Sequence, residues 1–327
     1  MNNLKNILRR IYKIPIYIYS SVLIFTRLEC KSTFKKFNIL SRKYENVYLR
    51  FSQNRALDRK SEGYHWDSWS GKIRNRFRKK VPLNFLSDPL IAYTMVLGGN
   101  GWGSNLVAER VLAAKKIFDT KELSNLLVED SIGLPILSNN EFLTSANRAH
   151  HVAHLAFYSK MTGDRVWASE IIFEWGGGYG SMARLIRKMN NKVTYIISDL
   201  PELLALQYVY LGALEGVENL NLVCSANNRI VPGKINLIPS ELLLSGDYNI
   251  NCDIFMSTWA LTECPLYIQE FVYKNKFFNA REVFIASLID ANNWLNSKVK
   301  MRNDLKVLTV PFLEGEHEYW VFNDNAR

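Results

Sequence analysis

The sequence predicts an α/β fold: a doubly wound sheet of seven strands, preceded by a basic and mainly helical N-terminal region. Three observations carry that expectation. An apolar run at residues 171–173 enters a turn holding Gly176, Gly177, Gly178 and Gly180, and the helix-spaced set Met182, Leu185, Ile186 and Met189 follows it. The 327 residues are 48% hydrophobic and 13% aromatic, enough for one large core, which excludes a disordered chain. Charge is also unevenly placed: residues 1–80 hold 20 Lys and Arg against 5 Asp and Glu, a balance of +15, and the other 247 carry −5. The implied division is residues 1–30, basic and apolar; 31–140, mainly helical; and 141–327, the sheet domain.

Residues 1–30 join the cations Lys5, Arg9, Arg10 and Lys13 to an apolar run at 14–25. A dozen residues are too few to span a bilayer comfortably, since a helix needs roughly 20. Such a segment can lie peripherally on an anionic membrane surface at the cytoplasmic face, or pack as a helix on its own protein. A secretory signal also begins basic and then apolar, but Arg27 and Glu29 bring charge where a small-residue cleavage site belongs. Cys30, Cys224, Cys252 and Cys264 show no paired metal spacing, which fits a reduced, cytoplasmic protein.

Between residues 31 and 80, Tyr64, Trp66 and Trp69 precede Arg74, Arg76, Arg78, Lys79 and Lys80. Aromatics among cations suit a nucleic-acid surface. Neither zinc-finger spacing nor an aromatic RNA-binding signature accompanies them, so the expectation is a solvated helix face anchored by Trp66 and Trp69, without a nucleic-acid partner. An anionic glycan or a lipid-linked precursor would meet the same charge. Within 84–120, Gly98, Gly99, Gly101 and Gly103 surround Asn100 and Trp102. Each would cost about 1 kcal/mol in a helix interior, so a loop is expected, either a plain connection or a lid offering Trp102 to a sugar ring.

Ser145 suits the cap of a helix over 146–161. There His150 and His154, four apart, share a face while His151 points elsewhere. A zinc-protease pattern would need Glu where His151 stands, so no metal is expected. Ser145, Asn147, Arg148 and His150 face a ligand or satisfy structural hydrogen bonds.

The glycine turn has a physical reason. A chain leaving a strand for a helix at once needs angles that side chains disfavour, and bare backbone if a ligand is to touch it. Gly178, Gly180 and Ala183 also fit the dinucleotide pattern. Glu174, however, stands just inside the strand end, where it would repel a pyrophosphate but can hold the ammonium of an amino-acid ligand, directly or through water. A second strand, 193–197, leads to Asp199, 23 residues after Gly176, at the edge where open α/β sheets bind ligands. Pro201 and Glu202 then suit the start of a helix over 201–214. The third strand is either 220–224 or 235–238. The fourth, around 253–256, puts Ser257 and Thr258 at the carboxyl edge, Trp259 at the pocket wall, and Glu263 either on an acceptor hydroxyl or at a helix start. Strands at 281–289, 305–312 and 318–322 complete seven, the last two as an antiparallel hairpin with His317 at the start of the final strand.

Glu174-x-Gly176-Gly177-Gly178-x-Gly180 and Asp199 resemble the first motif and the ribose-binding acid of class I S-adenosylmethionine-dependent methyltransferases, which are Rossmann-like. With 198–202 (Ser-Asp-Leu-Pro-Glu) and 257–263 (Ser-Thr-Trp-Ala-Leu-Thr-Glu), roughly residues 140–325 are similar to the sugar O-methyltransferases of polysaccharide and glycosylated natural-product gene clusters. The resemblance implies S-adenosyl-L-methionine as cofactor, held by Glu174, Gly176, Gly177, Gly178, Gly180, Asp199, Leu200, Ser257 and Thr258; topology puts Ser225 or Ser240, at the end of whichever run is the third strand, at the adenine. It implies a sugar or glycan substrate beside Ser145, Asn147, Arg148 and Trp259; the His317-x-x-Trp320 ending is also similar to that family. A sugar hydroxyl needs a base to take its proton; His317 or His150 is expected there, with Glu263 holding the acceptor. An NAD-dependent nucleotide-sugar oxidoreductase would share the glycine turn, and a non-catalytic membrane or nucleic-acid binding protein would explain the basic end. Neither accounts for Glu174, Asp199 and Glu263 together.

Overall fold

Among the described residues, and apart from a two-stranded pair (Leu137–Asn139 with Thr144–Ser145), the apolar runs form one sheet of eight strands: β1 (Ile171–Trp175), β2 (Thr194–Asp199), β3 (Leu220–Leu222), β4 (Ile235–Pro239), β5 (Ile254–Thr258), β6 (Glu282–Leu288), β7 (Lys306–Phe312) and β8 (Gly315–Phe322). They belong to a computed structural model that describes residue 15 and residues 18–26, 31–54, 65–92, 94–96, 104–139, 141–245, 248, 250–288, 293–312 and 315–323. The sheet order is β3-β4-β2-β1-β5-β6-β8-β7. Strands β1 to β6 pair in parallel, and β8 runs antiparallel between β6 and β7. From β1 the chain builds outward through β2 and β4, then returns to build the other way through β5 and β6. The reversal at β1 is the switch point where such sheets bind ligands, beyond the carboxyl ends of the strands.

Seven strands were expected and eight form, because both candidates for the third are strands. Leu220–Leu222 is a short edge partner of Ile235–Pro239 and adds its three residues outside it. The final strand begins three residues earlier than expected, so His317 lies inside it, opposite Leu288 and Val310.

Helices α1 (Lys31–Ser41), α2 (Tyr44–Phe51), α3 (His65–Phe77), α4 (Ser104–Lys115) and α5 (Thr120–Leu127) precede α6 (Ala146–Thr162), and α7 (Ser181–Met189) and α8 (Pro201–Glu215) follow β1 and β2. The first two pack on α8, where the Tyr44 hydroxyl donates to the Glu202 carbonyl at 3.1 Å. Phe85 sets its ring edge-on to Tyr179 and Tyr210 at 6.0 and 6.1 Å. One hydrophobic cluster therefore runs from Phe37 through the helices to Val321 on one face of the sheet, and a second, around Phe173, Phe255, Phe278 and Trp320, fills the other. Trp69 anchors α3 as expected, its indole donating to the Leu90 carbonyl at 3.1 Å, while Arg74 and Arg76 pair with Glu45 and Asp88.

Among the described residues no helix is long and apolar enough to cross a membrane. Residues 1–14, Tyr64 and the 97–103 loop with Trp102 lie outside the described residues.

Candidate active site at the carboxyl edge of the sheet

The glycine turn joins β1 to α7 at the switch point. Gly176 has φ +77°, and a Cβ there would stand 2.1 Å from that of Ala260, so close approach of the β5 connection demands glycine. Gly178 has φ +58°, and its added Cβ would meet only ordinary contact with the Met95 thioether, 3.7 Å away.

Two carboxylates bracket this turn. Asp199, at the end of β2, accepts from the amides of Gly178 (3.0 Å) and Leu200 (2.8 Å) and from the Gln207 side-chain nitrogen (2.9 Å). Burial pushes its pKa up to about 8 against the pull of the donors, with the charge of Glu174 adding to the rise. Glu174 is buried on β1 beneath Gly177 and accepts from the Tyr195 hydroxyl at 3.0 Å; burial raises it to about 7. Gln207 ties the group together by also donating to the Gly178 carbonyl at 2.8 Å. Both nitrogen contacts are to acceptors, which fixes the amide's orientation and leaves Oε1 as a buried acceptor with no hydrogen bond.

The other wall is aromatic. Trp259 follows β5 with φ +72°, a conformation that costs a bulky residue strain, and is held there by its amide on the Ala286 carbonyl (2.9 Å) and by Thr262 Oγ1 on its own carbonyl (2.9 Å). Its ring stacks on His150 at 4.8 Å and stands edge-on to His154 and His317 at 5.6 and 5.2 Å. His154 Nδ1 shares a hydrogen bond with the Tyr319 hydroxyl (2.8 Å), and His151 Nδ1 with Ser181 Oγ (2.9 Å) at the start of α7. Burial holds all four imidazoles neutral: His151 falls to about 3, helped by Arg148, and His317 to about 4, helped by Arg110. His150 and His154 are lowered well below the ordinary value, by burial first and then by their neighbours.

Several expectations are corrected by this geometry. The indole N–H of Trp259 is a donor only, and it points at His317 Nδ1 at 3.0 Å. The neutral His317 ring therefore carries its proton on Nε2 and presents a donor, not a base. His151 does not point away: its ring lies 5.9 Å from that of His154 and reaches the helix after the glycine turn. Ser145 caps α6 as expected, but Ser145 and Arg148 face inward. Arg148 is buried on Glu129 and Asp130, and Ser145 donates to Glu129, within a charge network that continues through Arg184 to Glu215. Ser257 uses its hydroxyl on the Trp175 carbonyl (3.1 Å) and the Leu261 amide (3.0 Å), bracing the β5 turn.

The remaining expected residues gather at the edge. Thr258 ends β5 half-buried, and Asn147 donates to the Tyr179 hydroxyl in the glycine turn at 2.8 Å. Glu263 sits in the turn after Trp259 with its residue surface exposed, and the partial desolvation of its carboxyl raises its pKa. The thiol of Cys264 beside it is pushed up to about 12 by burial, with the charges of Asp199 and Glu263 adding. Gln207, Tyr195, His151 and Tyr319 were not singled out by their expected roles in the sequence; only the fold brings them here.

No family model matches the chain, and no curated protein matches it. Among solved structures, an O-methyltransferase family protein from Burkholderia thailandensis is similar at 13% identity and TM-score 0.36, over 54% of this chain and 59% of that one. The chain thus spans less than two thirds of that protein's length. Magnesium protoporphyrin IX methyltransferase from Synechocystis PCC 6803, with bound SAM, is similar at 7% identity and TM-score 0.39, over 65% and 97%. A methyltransferase from Pyrococcus furiosus is similar at 16% and 0.36, over 68% and 99%. At such scores these likenesses carry no argument; the strand order above carries the fold.

Proposed function

We propose that the chain is an S-adenosylmethionine-dependent methyltransferase acting on a sugar hydroxyl of a polysaccharide, glycolipid or nucleotide-sugar precursor. The observation that supports this reading is the pair of carboxylates, Glu174 and Asp199, bracketing a bare glycine turn at the switch point. The residues fit the cofactor. Gly178 carries no side chain at the turn, Asp199 Oδ1 accepts from the Leu200 amide and has capacity for a ribose hydroxyl, and Gln207 Oε1 is a buried acceptor at the same turn. Glu174 and the turn would hold the amino-acid end. When bound, S-adenosylmethionine supplies a methyl group already activated on sulfur. A buried acid under the turn suits an ammonium and opposes a pyrophosphate, and β8 inserted between β6 and β7 is the closing strand a nicotinamide dehydrogenase lacks.

The acceptor side favours a neutral, hydroxyl-rich ring: one indole face and four imidazoles, all uncharged near neutral pH. The base is His151. It is half-buried while His150 and His154 are fully buried, and Ser181 orients its ring; with its pKa at about 3 it is a weak base, so it takes the proton in concert with methyl transfer and not before it. When His151 donates Nδ1–H to Ser181, Nε2 is left to receive the acceptor's proton, and His317 and Glu263 orient the hydroxyl.

Calorimetric titration with S-adenosylhomocysteine tests the cofactor. Wild type should bind, and Asp199→Ala should weaken binding by roughly tenfold, as expected for losing a hydrogen bond to the ribose. Unchanged affinity refutes the ribose role, and binding of NAD in place of S-adenosylhomocysteine favours the oxidoreductase.

A further inference from the structure

The helix of residues 18–26 is apolar on two sides, and the protein uses only one. Ile24 is buried against Leu137, and Ser20 Oγ accepts the Leu137 amide at 3.0 Å, which docks one face. Ile18, Tyr19, Val22 and Phe25 occupy the opposite face, and each is 51% to 60% exposed. At 100° per residue, 18, 22 and 25 fall within one narrow stripe, which makes this a continuous apolar surface instead of scattered side chains.

Its surroundings are cationic. The Phe25 ring meets Phe34 of α1 at 5.2 Å, and along α1 and just past it Lys31, Lys35, Lys36, Arg42 and Lys43 are exposed, with Ile39 among them. Between Met1 and Tyr44 the sequence has 10 Lys and Arg and a single acid, Glu29. Four of these cations, Lys5, Arg9, Arg10 and Lys13, belong to the chain leading into the stripe.

We propose that this face docks on an anionic lipid surface. The apolar stripe would enter the headgroup boundary and the cations would meet lipid phosphates, the combination that holds interfacial helices. Neither competing partner uses both parts. A nucleic-acid backbone would pair the cations but leave Ile18, Val22 and Phe25 in water. A second copy would bring this patch against itself, as two-fold contacts do, and set one acid-poor cationic surface against another.

The test is co-sedimentation of the full chain with phosphatidylcholine vesicles, with and without phosphatidylglycerol. Binding should require phosphatidylglycerol and weaken with salt. Val22→Glu/Phe25→Glu, both at exposed positions, should lower it at least tenfold at unchanged melting temperature and unchanged S-adenosylhomocysteine affinity, so this result stands apart from the methyl-transfer reading. Lys35→Glu/Lys36→Glu should lower it by a similar factor, about fivefold for each charge near such a surface. No binding to anionic vesicles, or equal binding by the Val22→Glu/Phe25→Glu variant, overturns the proposal. So does light scattering that shows a vesicle-free dimer broken by that variant, which assigns the face to a second copy.

Discussion

The two walls of the cleft are built on opposite physical plans. On the β2 side, two buried carboxylates are wrapped in donors: Asp199 accepts from three groups, and Glu174 from Tyr195. On the β5 side, Trp259 meets three imidazoles, those of His150, His154 and His317, and His151 packs beside His150 and His154; burial removes the charge from each. One wall is arranged to receive positive charge and hydroxyl donors at fixed points. The other offers a flat face and neutral nitrogen, which can accept a proton without first releasing one. Under the proposed function, cofactor recognition and proton removal belong to different walls, and each should be damaged without the other.

The largest effect should come from His151. His151→Gln keeps a hydrogen-bonding group near Ser181 but removes the base, so turnover should fall by about 10²–10⁴. Affinity for S-adenosylhomocysteine, set by the other wall, should not change. Equal loss in both would show that His151 serves the structure of the turn through Ser181, and the division between the walls would fail at that point.

The glycine turn and Asp199 were legible in the sequence because their demand is local. A left-handed backbone angle and a strand end are written in residue type and spacing, and the same holds for the Ser145 cap. Gln207 was not legible, since a glutamine inside an apolar helix gives no sign that its partners are a turn and a carboxylate one strand away. Arg148 was misplaced for the converse reason. It lies beside the cap in a polar helix start, while its partners Glu129 and Asp130 sit in a connection with no motif. The histidine cluster was half legible: spacing paired His150 with His154, but only β8 running back between β6 and β7 delivers His317 and Tyr319 to them.

An intermediate effect separates the walls by sign. The imidazoles have folded pKa values below the ordinary 6.5, so between 6.5 and about 4 the unfolded chain takes up protons that the folded chain refuses. Stability from that wall is complete above pH 6.5 and falls with acid, by about 1.4 kcal/mol per pH unit for each histidine. Glu174 and Asp199 are raised, to about 7 and about 8, so their contribution is complete below the unfolded value near 4 and is lost as pH rises through 7 and 8. Urea unfolding from pH 4.5 to 9 should show both slopes. His154→Phe should flatten the acid limb by about one proton, and Asp199→Asn the alkaline limb. A variant that flattened the wrong limb would dissolve the distinction.

The smallest effect is the sharpest check on the imidazole wall. Trp259→Phe keeps a ring against His150 but removes the N–H that His317 Nδ1 accepts. That hydrogen bond exists only while Nδ1 is unprotonated, so it holds His317 neutral in addition to burial. Its loss should move the His317 titration upward from about 4, by under one unit if the bond is worth about 1 kcal/mol net. With the tautomer no longer fixed, the acceptor KM should rise by roughly two- to tenfold while cofactor affinity stays constant. Ring-proton NMR across pH 3 to 7 would read the first change and steady-state kinetics the second. A His317 titration that stays in place after the substitution would mean that the indole contributes no proton control, and the role of Trp259 would reduce to the flat face it offers a sugar ring.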